Sequence, residues 1–63
     1  MKFKVTYIYK QNKATAFCAI QYWLPRIGEK IVINGYTLLI TDIIYSLSEG
    51  ESSCVNVTIE VEV

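Results

Sequence analysis

The chain has no histidine, a single proline, three glycines and only two cysteines in 63 residues. Each scarcity removes a class of chemistry. Without histidine, the side chain that most often serves as a general base near neutral pH is missing. Zinc also loses its usual nitrogen ligand, and Cys18 and Cys54 stand alone rather than in closely spaced pairs, so metal-ligand spacing is absent. Neither thiol has an imidazole partner to make it a thiolate nucleophile. Gly28, Gly35 and Gly50 are too dispersed to cradle a phosphate. The carboxylates Glu49, Glu51, Glu60 and Glu62 fall in a polar segment or on an alternating outward face. The expectation is a protein with no catalytic residues, no metal site and no cofactor.

Long apolar runs are missing as well. None approaches the roughly 18 residues of a membrane-spanning helix. Residues 1–7 alternate polar and apolar side chains, whereas a secretory signal needs a continuous apolar block after its basic start. Two cysteines are also fewer than a disulfide-stapled secreted mini-protein normally carries. These features predict a cytoplasmic protein away from membranes. Its cysteines are expected to remain reduced and to act as small apolar residues.

What the chain does have is apolar material. Hydrophobic residues make up 52% of it, with five tyrosines, two phenylalanines and one tryptophan, while charged residues are only 19%. The whole length, 1–63, reads as one domain near the lower limit for independent folding. A chain this short buries only roughly 60% of the surface its unfolded form exposes. Its apolar content exceeds what one small core encloses, so a second apolar surface is expected to be covered by self-association. A homo-oligomer is predicted.

The periodicity is that of strands. Residues 2–10 alternate, with Phe3, Val5, Tyr7 and Tyr9 on one face and Lys2, Lys4, Thr6 and Lys10 on the other. Gln11, Asn12 and Lys13 supply a turn. Residues 14–24 form a second strand, apolar on both faces, stopped by Pro25 and turned through Gly28. A short strand at 30–33 leads into Asn34-Gly35, a type I′ hairpin signal. Residues 36–47 form a long strand whose apolar phase runs through Tyr36, Leu38 and Ile40. It then resumes at Ile43, Tyr45 and Leu47, so a β-bulge is predicted near Thr41 and Asp42. Residues 48–53 read as a flexible polar loop. The last strand sets Val55, Val57, Ile59, Val61 and Val63 against Asn56, Thr58, Glu60 and Glu62. No segment shows helical periodicity.

Five short strands are too few for a two-sheet sandwich and suit a small, partly open barrel that limits exposed edges. Charge is divided along the chain. All six basic residues lie within 1–30 beside a single acid, Glu29, whereas 31–63 holds five acids and no base. If the first and last strands pair, Lys2 and Lys4 are expected near Glu60 and Glu62, at roughly 0.2–1 kcal/mol per pair.

The stretch Leu24-Pro25-Arg26-Ile27-Gly28-Glu29-Lys30-Ile31-Val32-Ile33, the Asn34-Gly35 turn and residues 36–45 resemble small SH3-like β-barrel proteins of bacteriophages and mobile elements. The pattern covers about residues 22–47 and is that of an architecture: a Pro-x-x-Gly-Glu turn, a short strand, an Asn-Gly hairpin and a bulged strand. The paired tryptophans and acidic loop of peptide-binding SH3 domains are absent. The resemblance implies an all-β, five-stranded, partly open SH3-like barrel, and by analogy an accessory protein that sequesters a ligand or inhibits a host factor.

On the second strand, Phe17, Ala19 and Trp23 occupy one face and Ala16, Cys18, Ile20, Tyr22 and Leu24 the other. A two- or four-residue turn puts the even set inside with Phe3, Val5 and Tyr7; a three-residue turn puts the odd set inside. Either way an aromatic residue remains outside, and Phe17 and Trp23 are the candidate interface residues. A ligand is expected beside the turn at 23–28, with Tyr22 and Trp23 for stacking and Arg26 and Lys30 for an anion. A small nucleotide-like anion or an acidic host protein would suit such a site. Nucleic acid is the alternative, through Lys2, Lys4, Lys10 and Lys13 interleaved with Tyr7 and Tyr9. The zero net charge speaks against it.

Overall fold

A computed structural model describes residues 2–47 and 54–63. Five strands follow one another: β1 (Lys2–Tyr9), β2 (Thr15–Gln21), β3 (Lys30–Ile33), β4 (Tyr36–Ser46) and β5 (Cys54–Glu62). They form one sheet in the order β2-β1-β5-β4-β3. The sheet curls on itself as a half-barrel, the small, partly open, SH3-like architecture expected for an all-β chain. No helix occurs among the described residues. The loop expected at 48–53 lies outside them.

Period-2 patterning sets the core. Val5 and Tyr7 of β1, Ile33 of β3, Leu38 and Ile40 of β4, and Val57, Ile59 and Val61 of β5 are buried together on the concave face. Phe3, Tyr9, Leu24, Ile31, Ile43 and Val55 pack around them. No charged or polar side chain is buried with them among the described residues.

Both predicted irregularities of the second half are present. Asn34 and Gly35 have φ of 51° and 86°, the paired positive values of a type I′ turn. Between Ile40 and Asp42 the register of β4 against β5 slips, so that Ile40 faces Val61 and Asp42 faces Glu60. Thr41 is the extra residue, and its hydroxyl donates to the Glu60 carbonyl at 3.2 Å. The slip keeps Ile43, opposite Ile59, on the core side and turns Ile44, opposite Thr58, outward.

The first and last strands do pair, but in parallel: Lys2 lies opposite Cys54, Lys4 opposite Asn56 and Ile8 opposite Glu60. The expected proximity of Lys2 and Lys4 to Glu60 and Glu62 is therefore corrected. With parallel strands the acids at the end of β5 lie beside the end of β1 and its turn. Among the described residues the ion pairs are Lys13–Glu60 and Lys10–Glu62, the latter at 4.0 Å.

The first hairpin resolves which face of β2 points inward. Tyr9 N–H donates to the Ala14 carbonyl and Lys13 N–H to the Tyr9 carbonyl, enclosing a four-residue turn at 10–13. Lys13 takes the left-handed conformation, φ 61°, and Asn12 Oδ1 accepts from Ala14 N–H at 2.9 Å. A four-residue turn alone would carry the even set inward. A second bulge reverses this: Ile8 faces Thr15 but Tyr7 faces Phe17, leaving Ala16 as the extra residue. From there Phe17, Ala19 and Gln21 share the face of Tyr7, Val5 and Phe3, opposite which they lie. Ala16 still packs against the core.

From the end of β2, residues 22–29 carry the chain to the opposite edge of the sheet. Pro25 is buried and Leu24 packs on the core. Gly28 N–H donates to the Ile40 carbonyl and Ile40 N–H to the Glu29 carbonyl, which ties the connection to β4. Gly28 has φ 94°, a value that favours glycine. Glu29 Oε1 accepts from Arg26 N–H at 2.7 Å and closes the turn.

Candidate functional site: the seam between the two edge strands

Because the sheet is open, β2 and β3 are both edges, and their free sides border one seam. A groove of about 180 Å³ lies there, lined by Tyr7, Phe17, Gln21, Trp23, Ile31, Val32 and Ile33. Three elements build it. β1 supplies Tyr7 at the base, β2 and the residues just after it supply Phe17, Gln21 and Trp23, and β3 supplies the aliphatic side.

A short polar relay fixes one wall. Tyr7 Oη donates to Gln21 Oε1 at 2.7 Å, and Gln21 Nε2 donates to the Trp23 carbonyl at 3.1 Å. This uses the amide's acceptor and one of its donor hydrogens, and it holds the start of the 22–29 connection against the barrel. The rings of Tyr7 and Phe17 stand 6.3 Å apart at 43°, a tilted arrangement within the favourable range. Burial pushes the Tyr7 phenol above its ordinary value of 10.0, opposed in part by the hydrogen bond to Gln21. Tyr7 is therefore a neutral donor at physiological pH. Trp23 and Val32 remain largely exposed at the mouth, at 62% and 68%.

Of the residues expected at a site, Phe17 and Trp23 come together on this wall. Tyr22, Arg26 and Lys30 are exposed and do not line the groove. Lys30 lies opposite Leu39 in the ladder, out of phase with the core residues Ile31 and Ile33. Arg26 sits on the closed turn with Glu29. Sequence reasoning missed Gln21, Ile31, Val32 and Ile33. Gln21 carried a signal, as one of two polar residues, with Thr15, in phase with Phe17 and Ala19; the β3 residues carried none, because only the curl of the sheet brings that edge near β2.

The lining has no charged side chain, so the groove suits an apolar or aromatic group with one amide available for orientation. Among the described residues, no group of three or more acidic, cysteine or histidine side chains is placed to hold a metal ion. No helix there is long and apolar enough to cross a membrane. Compared with known protein families, curated proteins and solved structures, the chain matches none.

Proposed function

We propose that this chain is a non-enzymatic binding protein. It works as a homo-oligomer and receives an apolar side chain of a partner protein in the seam groove. The observation that carries the reading is the groove itself. Tyr7, Phe17, Gln21, Trp23, Ile31, Val32 and Ile33 surround it, and none of them is charged. Small-molecule and peptide sites are concave, mostly apolar and oriented by few polar groups, which is this composition. In keeping with the architecture that residues 22–47 resemble, the role is that of a phage or mobile-element accessory protein that blocks a host factor in the host cytoplasm.

A nucleotide-like ligand draws less support, since Arg26 and Lys30 stand apart from the groove. The nucleic-acid reading is weakened by the ion pairs. Lys10 and Lys13, two of the four lysines it relies on, are engaged by Glu62 and Glu60. Phosphate contacts give a steep loss of affinity with added salt, whereas the groove reading predicts weak salt dependence.

The test follows the one tryptophan. N-acetylphenylalanine amide, a minimal aromatic peptide group, is titrated while Trp23 fluorescence is read. A saturable change abolished by Val32→Asp, on the exposed side of the groove, supports the reading. A change that survives Val32→Asp, or none at all, refutes it.

A further inference from the structure

The outer strand β3 leaves part of its backbone unpaired beside the groove. β3 stands at the end of the sheet order, so its one ladder is with β4. Ile33 faces Tyr36 across the two-residue Asn34-Gly35 turn, which makes that pair hydrogen-bonded. Such pairs alternate, so Ile31 also bonds to β4, and the phase continues to Glu29, whose carbonyl accepts from Ile40 N–H at 2.8 Å. The N–H and C=O groups of Lys30 and Val32 therefore point to the free side. Among the described residues, no turn or loop backbone bond reaches either of them. Ile31, Val32 and Ile33 also line the groove, so the groove and the unpaired backbone share one edge.

We infer that the partner's apolar side chain arrives on an extended segment, which adds to β3 as a further antiparallel strand and carries an acid opposite Lys30. The inference rests on the groove reading of the function and names the conformation and sequence pattern of the partner. A strand placed here gives Val32 N–H an acceptor and the Val32 carbonyl a donor. Its residues on either side of that contact lie opposite Ile31 and Ile33, on the core-facing side of β3. Those positions are not hydrogen-bonded, so the Cα atoms approach to about 4.5 Å and the side chains meet closely. In strand addition the main-chain bonds supply affinity, and pockets for alternate side chains supply specificity. Antiparallel pairing is the more stable direction.

Charge decides what flanks the apolar residues. Lys30 is exposed, out of phase with Ile31 and Ile33, and has no ion-pair partner among the described residues. In the antiparallel register, the residue that follows the one facing Ile31 faces Lys30. An acid there makes a favourable cross-strand pair, whereas a lysine sets like charges directly opposite. The pattern is therefore apolar, any residue, apolar, acid. Shortness and an edge lysine are also what limits indiscriminate pairing. Here they select: a ladder of four residues suits a short segment, and Lys30 favours an acidic one.

The probe is the peptide acetyl-Val-Thr-Phe-Glu-amide. It sets its valine opposite Ile33, its threonine opposite Val32, its phenylalanine opposite Ile31 and its glutamate opposite Lys30. Binding is read by Trp23 fluorescence, and the edge by NMR-detected hydrogen exchange of Val32 N–H. The peptide should bind more tightly than N-acetylphenylalanine amide, and exchange at Val32 should slow on binding. An ester in place of the amide that carries the threonine N–H removes the donor to the Val32 carbonyl and should weaken binding about tenfold. Lysine in place of the glutamate should weaken it roughly threefold at low salt, and Lys30→Glu should reverse that preference.

Equal affinities for the ester and the parent peptide, with Val32 exchange unchanged while N-acetylphenylalanine amide still saturates, overturn strand addition and leave the groove reading standing. Protection of Val32 N–H in the free protein that is lost on dilution means that a second copy holds the edge, and it overturns the inference too. A preference for glutamate that survives Lys30→Glu overturns the pairing with Lys30. No response to the peptide or to the amide overturns the inference and the groove reading together.

Discussion

Truncating Ile59 tests the assignment of the core. Ile59 sits in the middle of β5, opposite Tyr7 of β1 and Ile43 of β4, with 0% of its surface exposed. Ile59→Val removes one buried methyl group, about 0.8 kcal/mol of transfer free energy, and partial relaxation adds to it, giving about 0.5–1.5 kcal/mol. Ile59→Ala removes three carbons and is expected to cost about 2–5 kcal/mol. A domain of this size holds only about 3–5 kcal/mol in total, so the alanine variant should be largely unfolded at 25 °C. The valine variant is the quantitative one. With a urea slope of about 1 kcal/mol/M for so small a chain, its midpoint should fall by about 0.5–1.5 M with the slope unchanged. Ile44→Val is the control, because the bulge at Thr41 turns Ile44 outward and leaves it 46% exposed. Its loss should be at most half that of Ile59→Val. All proteins are compared at one concentration, since association shifts apparent stability. Equal midpoints for wild type and Ile59→Val, or a larger loss at Ile44, would refute the facing of β4 and β5.

Three further outcomes follow from local geometry. Gly35→Ala should destabilise by about 1–2 kcal/mol in denaturant melts. The cause is its φ of 86° alone, since nothing lies within 4 Å of an added Cβ; a neutral effect would mean that the turn is not left-handed there. Tyr7 has its folded pKa raised by burial, so its contribution is complete below the unfolded phenol value of 10.0 and is lost as pH rises through the folded value. Tyr7→Phe should therefore flatten the decline of stability above pH 10, read by urea midpoints, and an unchanged slope would contradict the burial of the phenol. Glu60→Gln should lower stability at low salt by no more than about 1 kcal/mol. The difference should vanish in high salt, because the Lys13 partner is solvent-exposed. A salt-independent loss would point to a different role for Glu60.

The strands were legible because each half-buried face has period 2, and β5 shows it without a break. The Asn34-Gly35 turn and the Thr41 bulge were legible for the same reason, one by its residue types and the other by a visible slip in phase. The bulge at Ala16 was not. With apolar residues on both faces of β2, a one-residue shift leaves no mark in the pattern. The parallel pairing of β1 and β5 was equally hidden, because alternation fixes which face a residue takes and says nothing of a neighbour's direction. That error displaced the expected ion pairs from Lys2 and Lys4 to Lys10 and Lys13. The groove was partly legible: Phe17 and Trp23 stand out in the sequence as surplus aromatics, but their companions Ile31, Val32 and Ile33 reach them only through the curl of the sheet. Arg26 and Lys30 carry charge near the turn at 23–28, outside a lining that is aromatic and aliphatic apart from Gln21.

The claim at the centre is that binding happens in the uncharged seam. Backbone and side-chain NMR shifts of the labelled protein, titrated separately with N-acetylphenylalanine amide and with AMP, test it most directly. The account predicts saturable shifts at Phe17, Gln21, Trp23 and Val32 with the aromatic amide, and none there with AMP. Saturable shifts centred on Tyr22, Arg26 and Lys30 with AMP, and a silent groove with the amide, would contradict it.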